Sequence, residues 1–210
     1  MTRLLLVRHG HVEGIDPPRF RGRTNVPLSD LGRRQAAATA ERLAAGWRFG
    51  TVYTSPLGRC VETGRAIAEA GSAVASPLDG LTDLDYGDWT WKTNDEVRAA
   101  SPDLFDQWFA APELVRFPGG DSLQDLITRM ADVLRMTVER HRGETVVLVG
   151  HDSTLRALLL QFLAQPLSAY WRLAQAPCGI SEIDIDGRRI CVLRVNETAH
   201  TEALVPRRRD

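Results

Sequence analysis

Leu4-Leu5-Leu6-Val7-Arg8-His9-Gly10 is the stretch on which the fold turns. Four consecutive apolar residues between arginines read as a strand buried on both faces, the pattern of a parallel sheet rather than of a half-exposed one. The same form recurs where Thr51 to Thr54 runs into Ser55-Pro56, and where Thr145 to Val149 runs into Gly150-His151-Asp152. Helical segments separate these strands. An alanine-rich helix from about Arg33 to Ala45 is capped by Ser29 or Asp30 and stopped by Gly46, and a second passes through Arg59, Thr63 and Ile67 to Gly71. A long helix starts after Asp121 or Ser122, carries Leu123, Leu126, Ile127, Met130, Val133, Leu134 and Val138 at helical spacing, and ends before Gly143. Ser153 to Leu163 forms another, and strands near Ile180 to Ile185 and Ile190 to Val195 flank the turn Asp186-Gly187. Strands alternating with helices predict an α/β protein, a three-layer α/β/α fold with a mainly parallel central sheet. Residues from about 78 to 120 have no clean period and hold Trp89, Trp91 and Trp108, so they read as a small cap insertion within a single domain over residues 1–210.

A chain of this length buries roughly 70% of the surface its unfolded form exposes, enough for a core without metal or disulfide staples. Its 26 Lys and Arg against 27 Asp and Glu exclude a protein built to coat nucleic acid or an anionic membrane. Cys60, Cys178 and Cys191 contain no CxxC pair and are too few for a disulfide framework, which points to the cytoplasm. No apolar run is long enough for a signal segment or a membrane span. The Arg207-Arg208-Arg209 cluster reads as a solvated chain end.

Open α/β sheets bind ligands beyond the carboxyl ends of their parallel strands. Those ends deliver Arg8 and His9, then Ser55 with Arg59 on the following turn, then His151. Two guanidiniums and two imidazoles converging on one crevice call for an anion, and the planar donor fork of arginine matches phosphate oxygens. One imidazole, neutral at pH 7, can attack phosphorus while the other, if cationic, neutralises the transferring group. That is a two-step phosphoryl transfer needing neither metal nor cofactor.

The chain resembles the histidine phosphatase superfamily in its phosphoglycerate mutase-like branch. Leu5 to Gly10 resembles the signature, Gly22 to Leu28 with Gly32 and Gln35 the following loop and helix, and Tyr53 to Arg59 with Glu62-Thr63 the second arginine motif. Leu84 to Trp89 is similar to the proton-donor segment, Gly119 to Ser122 to the start of the long helix, and Val149-Gly150-His151 completes the series. The resemblance implies that His9 becomes phosphohistidine, that Arg8, Arg59 and His151 bind the phosphoryl oxygens, and that Asp83 is the proton donor, where the family usually has the longer Glu. Asp152 is the rival donor, as in the acid phosphatase and phytase branch. Val12 and Ile15 replace polar residues found in many members, and Arg23 is a candidate substrate contact in compensation, whereas Arg19 and Arg21 read as ordinary surface.

The expected activity is therefore hydrolysis of a small phosphorylated metabolite, with no nucleic acid or membrane partner and with a homodimer left open. The alternatives are a phosphoglycerate mutase, a catalytically idle phospho-ligand-binding relative, and a metal-dependent hydrolase using His9-x-His11. His11, His141 and His200 read as structural histidines, and the three cap tryptophans as packing residues.

Overall fold

Six strands hydrogen-bond in the order β3-β2-β4-β1-β5-β6, where β1 is Thr2–Arg8, β2 Thr51–Thr54, β3 Val74–Pro77, β4 Thr145–Gly150, β5 Ile180–Asp186 and β6 Arg189–Glu197. The first four in that order run parallel, while β5 and β6 add an antiparallel edge. The computed structural model describes residues 1–205, so the Arg207-Arg208-Arg209 cluster lies outside the described residues.

Strand β1 sits between β4 and β5, and its residues Leu4 to Val7 are all 0% exposed, which is why it carries no polar alternation. Successive side chains feed two separate cores. Leu5 and Val7 pack with Val147 and Val149 against Ala40 and Leu43 of α1 (Asp30–Gly46) and Ile67 of α2 (Gly58–Gly71). Leu4 and Leu6 pack with Val146 and Leu148 on the opposite face. There they meet Leu126 and Met130 of an 18-residue helix, Leu123–Arg140, and Leu155 and Leu158 of a further helix, Asp152–Phe162. The layers are thus helix, sheet, helix.

The segment between β3 and the long helix is less irregular than its sequence. It forms α3 (Asn94–Ala100) and α4 (Pro102–Ala110), so the Leu123–Arg140 and Asp152–Phe162 helices are α5 and α6. At 7 and 9 residues the cap helices are shorter than the roughly 11-residue window in which a helical apolar period can be read. Local chemistry starts them instead: Thr93 and Glu96 form a reciprocal capping box, and Pro102 occupies a first-turn position. Strand β3 also escapes a hydrophobic reading because it is a four-residue edge strand with mostly exposed side chains. The cap is fastened by aromatic rings. Trp108, fully buried, lies 4.9 Å from Phe117, 5.4 Å from Tyr170 and 5.1 Å from Trp171, ring centre to ring centre. Such pairs each add about 0.5–1.5 kcal/mol beyond the area they bury.

The adjacent parallel strands β1 and β4 are followed by helices on opposite faces, α1 on one and α6 on the other. The chain therefore diverges at their carboxyl ends and opens a crevice there. Its floor is fixed by a close backbone approach. A Cβ on Gly32, in the first turn of α1, would overlap the carbonyl oxygen of His11, and one on Gly10 would overlap the carbonyl oxygen of Gly32. Gly32→Ala is therefore expected to lower the unfolding free energy by about 3 kcal/mol, a cost typical of forced overpacking, as measured by equilibrium urea denaturation. A loss under about 1 kcal/mol would mean that the loop yields.

Candidate active site

The register that pairs Arg8 with Gly150 places His9 and His151 side by side, one residue beyond their strands. The His9 amide donates to the Gly150 carbonyl at 3.0 Å, and the two imidazole rings lie 5.3 Å apart at 64°. His9 Nδ1 is 2.7 Å from the carbonyl oxygen of Gly10 and must donate to it, so the ring proton is on Nδ1 and the lone pair on Nε2. Arg59 Nε donates to that lone pair at 3.2 Å. His151 has the opposite tautomer. Its Nδ1 receives Arg59 Nη2 at 3.2 Å, and its Nε2–H donates to Ser55 Oγ at 2.8 Å.

Arg59 is 0% exposed, held by peptide carbonyls of the 14–28 loop: Nη1 donates to Thr24 at 2.6 Å and Nη2 to Gly22 at 2.7 Å. Asp83 Oδ2 lies 3.2 Å from the same Nη2 and 3.4 Å from His151 Nδ1. Arg8 is also buried and donates to the Gln175 carbonyl at 2.5 Å, yet its Nε–H is buried with no partner among the described residues. A buried guanidinium with an unspent donor beside two imidazoles is costly unless an anion is its intended guest.

Burial, reinforced by the neighbouring Arg59 guanidinium, depresses the pKa of both His9 and His151 well below the ordinary histidine value. Both rings are neutral at pH 7. A cationic second imidazole, the condition for it to neutralise the transferring group, is not met: the positive charge of the crevice comes from Arg8 and Arg59, and the one N–H of neutral His151 is given to Ser55 Oγ. The carboxylates separate in the same way. Burial pushes Asp83 upward against the opposing pull of Arg59 and Ser153. At Asp152 burial also pushes upward, but Arg8, Arg156 and Arg21 outweigh it and hold the carboxyl far below its usual range.

The crevice opens into a cavity of about 290 Å³ whose wall includes Arg8, Arg19, Arg21, Asp83 and Asp152, with Phe20, Tyr86, Trp108, Phe109 and Trp171 as an aromatic side. A larger cavity of about 740 Å³ beside α1, between Gln35, Pro177 and Glu202, has no His, Cys, Lys or Arg in its described lining. Arg23 is not among the residues lining the crevice cavity, and its guanidinium lies 3.1 Å from Asp85 and 2.9 Å from Asp121. Arg19 and Arg21, read as surface, do line it. His11 bonds Ser29, His141 bonds Tyr53 and Glu144, and His200 lies against Thr39 and the Cys178 carbonyl. Among the described residues, no three His, Cys, Asp or Glu side chains gather as a metal-binding group would. Ser153, whose hydroxyl donates to Asp83 Oδ1, and Gln175, which holds Arg8 through its backbone, escaped the sequence reading. Ser153 could have been flagged by its place two residues after His151, whereas a backbone acceptor leaves no mark in residue type.

Comparison with known proteins places this geometry in a family. Residues 4–198 match the model of the histidine phosphatase superfamily (branch 1). Phosphoserine phosphatase 1 of Hydrogenobacter thermophilus is 32% identical over 200 residues, covering 95% of this chain and 94% of that protein. The probable phosphoglycerate mutase GpmB of Salmonella choleraesuis is 30% identical over 184 residues, covering 88% and 85%. The structure of Bacillus stearothermophilus YhfR superposes with a TM-score of 0.91 at 30% identity, over 96% of this chain and 100% of that one.

The neutral histidines have a measurable consequence. An unfolded chain takes up a proton on each imidazole as pH falls below about 6.5, while the buried rings refuse it, so stability present at neutral pH is lost on acidification at up to about 1.4 kcal/mol per pH unit per ring. His151→Gln is expected to flatten the fall in unfolding free energy between pH 6.5 and 5 relative to wild type. Equal slopes would show that His151 is not held neutral.

Proposed function

The chain belongs to the histidine phosphatase superfamily and is an enzyme of that family, and from this we propose that His9 is the nucleophile of a phosphatase acting on a small phosphomonoester. The carrying observation is the fixed tautomer of His9: the Gly10 carbonyl holds the proton on Nδ1 and leaves the Nε2 lone pair facing the guanidinium of Arg59. In the first step Nε2 attacks phosphorus, the bond from phosphorus to the ester oxygen breaks, and the Asp83 carboxyl protonates the departing oxygen. In the second, Asp83 as carboxylate takes a proton from water, which attacks the phosphohistidine and releases inorganic phosphate and neutral His9. Arg8 and Arg59 neutralise the transferring group, with His151 holding Arg59 by accepting from its Nη2, in a crevice whose low dielectric strengthens each interaction.

Asp83 is preferred over Asp152 as donor on two grounds. Its Oδ2 lies against Arg59 and His151, and burial favours its protonated form. Asp152 instead pairs with Arg156 at 3.6 Å and remains ionised among cations. The 290 Å³ cavity suits a compact leaving group. O-phosphoserine and the phosphoglycerates, named for relatives, carry a carboxylate beside the phosphate ester, and Arg19 and Arg21 on the cavity wall supply cations toward it. The three free cysteines, two of them buried, support a reducing, cytoplasmic setting.

Purified protein with chelator present is expected to release phosphate from O-phosphoserine and 3-phosphoglycerate and to carry an acid-labile, alkali-stable phosphoryl label. His9→Ala should lose both, with activity down at least about 1,000-fold. Interconversion of 2- and 3-phosphoglycerate with little phosphate release would mean a mutase, and loss of activity on chelation would favour a metal-dependent hydrolase. Neither release nor interconversion would leave a phospho-ligand-binding protein.

A further inference from the structure

Ser153 stands in the first turn of α6, is 0% exposed, and directs its hydroxyl away from its own helix. A serine at a helix start ordinarily accepts a hydrogen bond from the helix backbone. Here that work falls to others: Thr154 Oγ1 receives the His151 amide at 2.9 Å, and the Asp152 carboxylate receives the Ser153 amide at 3.0 Å. The Ser153 hydroxyl crosses 70 positions in sequence to donate to Asp83 Oδ1. Its only other bond among the described residues is as acceptor of the Leu84 amide at 3.4 Å.

Asp83 Oδ1 also receives the Leu84 amide at 2.9 Å, so this oxygen has two donors on it. Oδ2 faces Arg59 Nη2 at 3.2 Å and His151 Nδ1 at 3.4 Å. A protonated carboxyl has one O–H. On Oδ1 that hydrogen would confront the Leu84 N–H, which cannot turn away, and the Ser153 O–H.

We propose that Ser153 is a positioning residue for the reaction: by occupying Oδ1 it confines the transferable proton of Asp83 to Oδ2, the oxygen that faces Arg59 and His151. This rests on the reading of Asp83 as proton donor. The proton on Oδ2 passes to the ester oxygen as that oxygen leaves phosphorus for His9 Nε2, and Oδ2 recovers a proton from the water that cleaves the phosphorus–nitrogen bond. The placement answers the shortness of aspartate. Its main chain is clamped near the crevice, the Asp83 carbonyl receiving Arg23 Nε at 3.4 Å and Arg129 Nη2 at 3.3 Å, while Ser153 sets the side-chain rotation.

The test uses the full chain with two substrates. p-Nitrophenyl phosphate departs without needing a proton, and O-phosphoserine has an alkoxide leaving group that needs one. Ser153→Ala is expected to lower kcat about 10- to 100-fold for O-phosphoserine, with less than about a threefold change for the aryl ester and an unchanged KM. Arg59 from α2, His151 and Asp152 from the β4–α6 junction, Arg8 from β1 and Arg21 from the loop all act on Asp83 and are left in place. Removal of the Ser153 hydrogen bond should therefore move the alkaline limb of kcat upward by about half a pH unit or more. Ser153→Thr keeps the hydroxyl and Ser153→Val is its isostere without one, so this pair reads the hydroxyl alone if the alanine variant folds poorly. Equal losses on both substrates, or a valine variant as active as the threonine one, overturn the proposal. Asp83→Asn separates the two ideas. If it loses O-phosphoserine turnover while Ser153→Ala does not, the positioning role fails and the donor stands, whereas wild-type turnover in Asp83→Asn removes the donor reading itself.

Discussion

Everything in this site depends on keeping the Arg59 guanidinium inside the protein. A cation at 0% exposure forfeits its hydration, and the loss is bearable only if every donor is met. The protein meets them with two peptide carbonyls, one carboxylate oxygen and the lone pairs of two histidines. That arrangement places Arg59 at the junction of the loop, the cap segment and two strand ends. The Arg59 charge adds to burial, the larger cause, in depressing both histidines, and its donors fix the geometry around them.

Low dielectric sorts the two carboxylates as well. Asp83 and Asp152 both border the same cavity, yet burial dominates at one and a ring of guanidiniums at the other. Opposite shifts in neighbouring groups of one chemical type are how a fold assigns different tasks to them. Asp152 stays anionic and compensates Arg8 and Arg156; Asp83 is the one able to hold a proton.

Much of this was legible in residues whose surroundings are dictated by chain direction. Leu4 to Val7 and Thr145 to Val149 admit few structures besides buried parallel strands, and a parallel pair must deliver His9 and His151 to the same edge. Arg59 follows from its place one turn into α2. Residue type does not separate Arg23 from Arg21, because two loop arginines two residues apart differ only in which partners the fold brings. Asp85 and Asp121 capture the first, while the second donates to the Gly14 carbonyl and faces the cavity. The cap helices and β3 were illegible for a different reason, being too short or too exposed to carry a period.

The 14–28 loop serves two masters. Its arginines at 19 and 21 line the cavity, and its carbonyls at 22 and 24 hold Arg59. A backbone change in this loop that re-aims the two arginines therefore also moves the acceptors on which the buried guanidinium depends. Phe109 on the cap, 44% exposed, packs its ring instead on Trp171 at 5.0 Å and Phe105 at 4.9 Å. The cavity wall is thus separable from the Arg59 anchor on its Phe109 side and mechanically tied to it on its loop side.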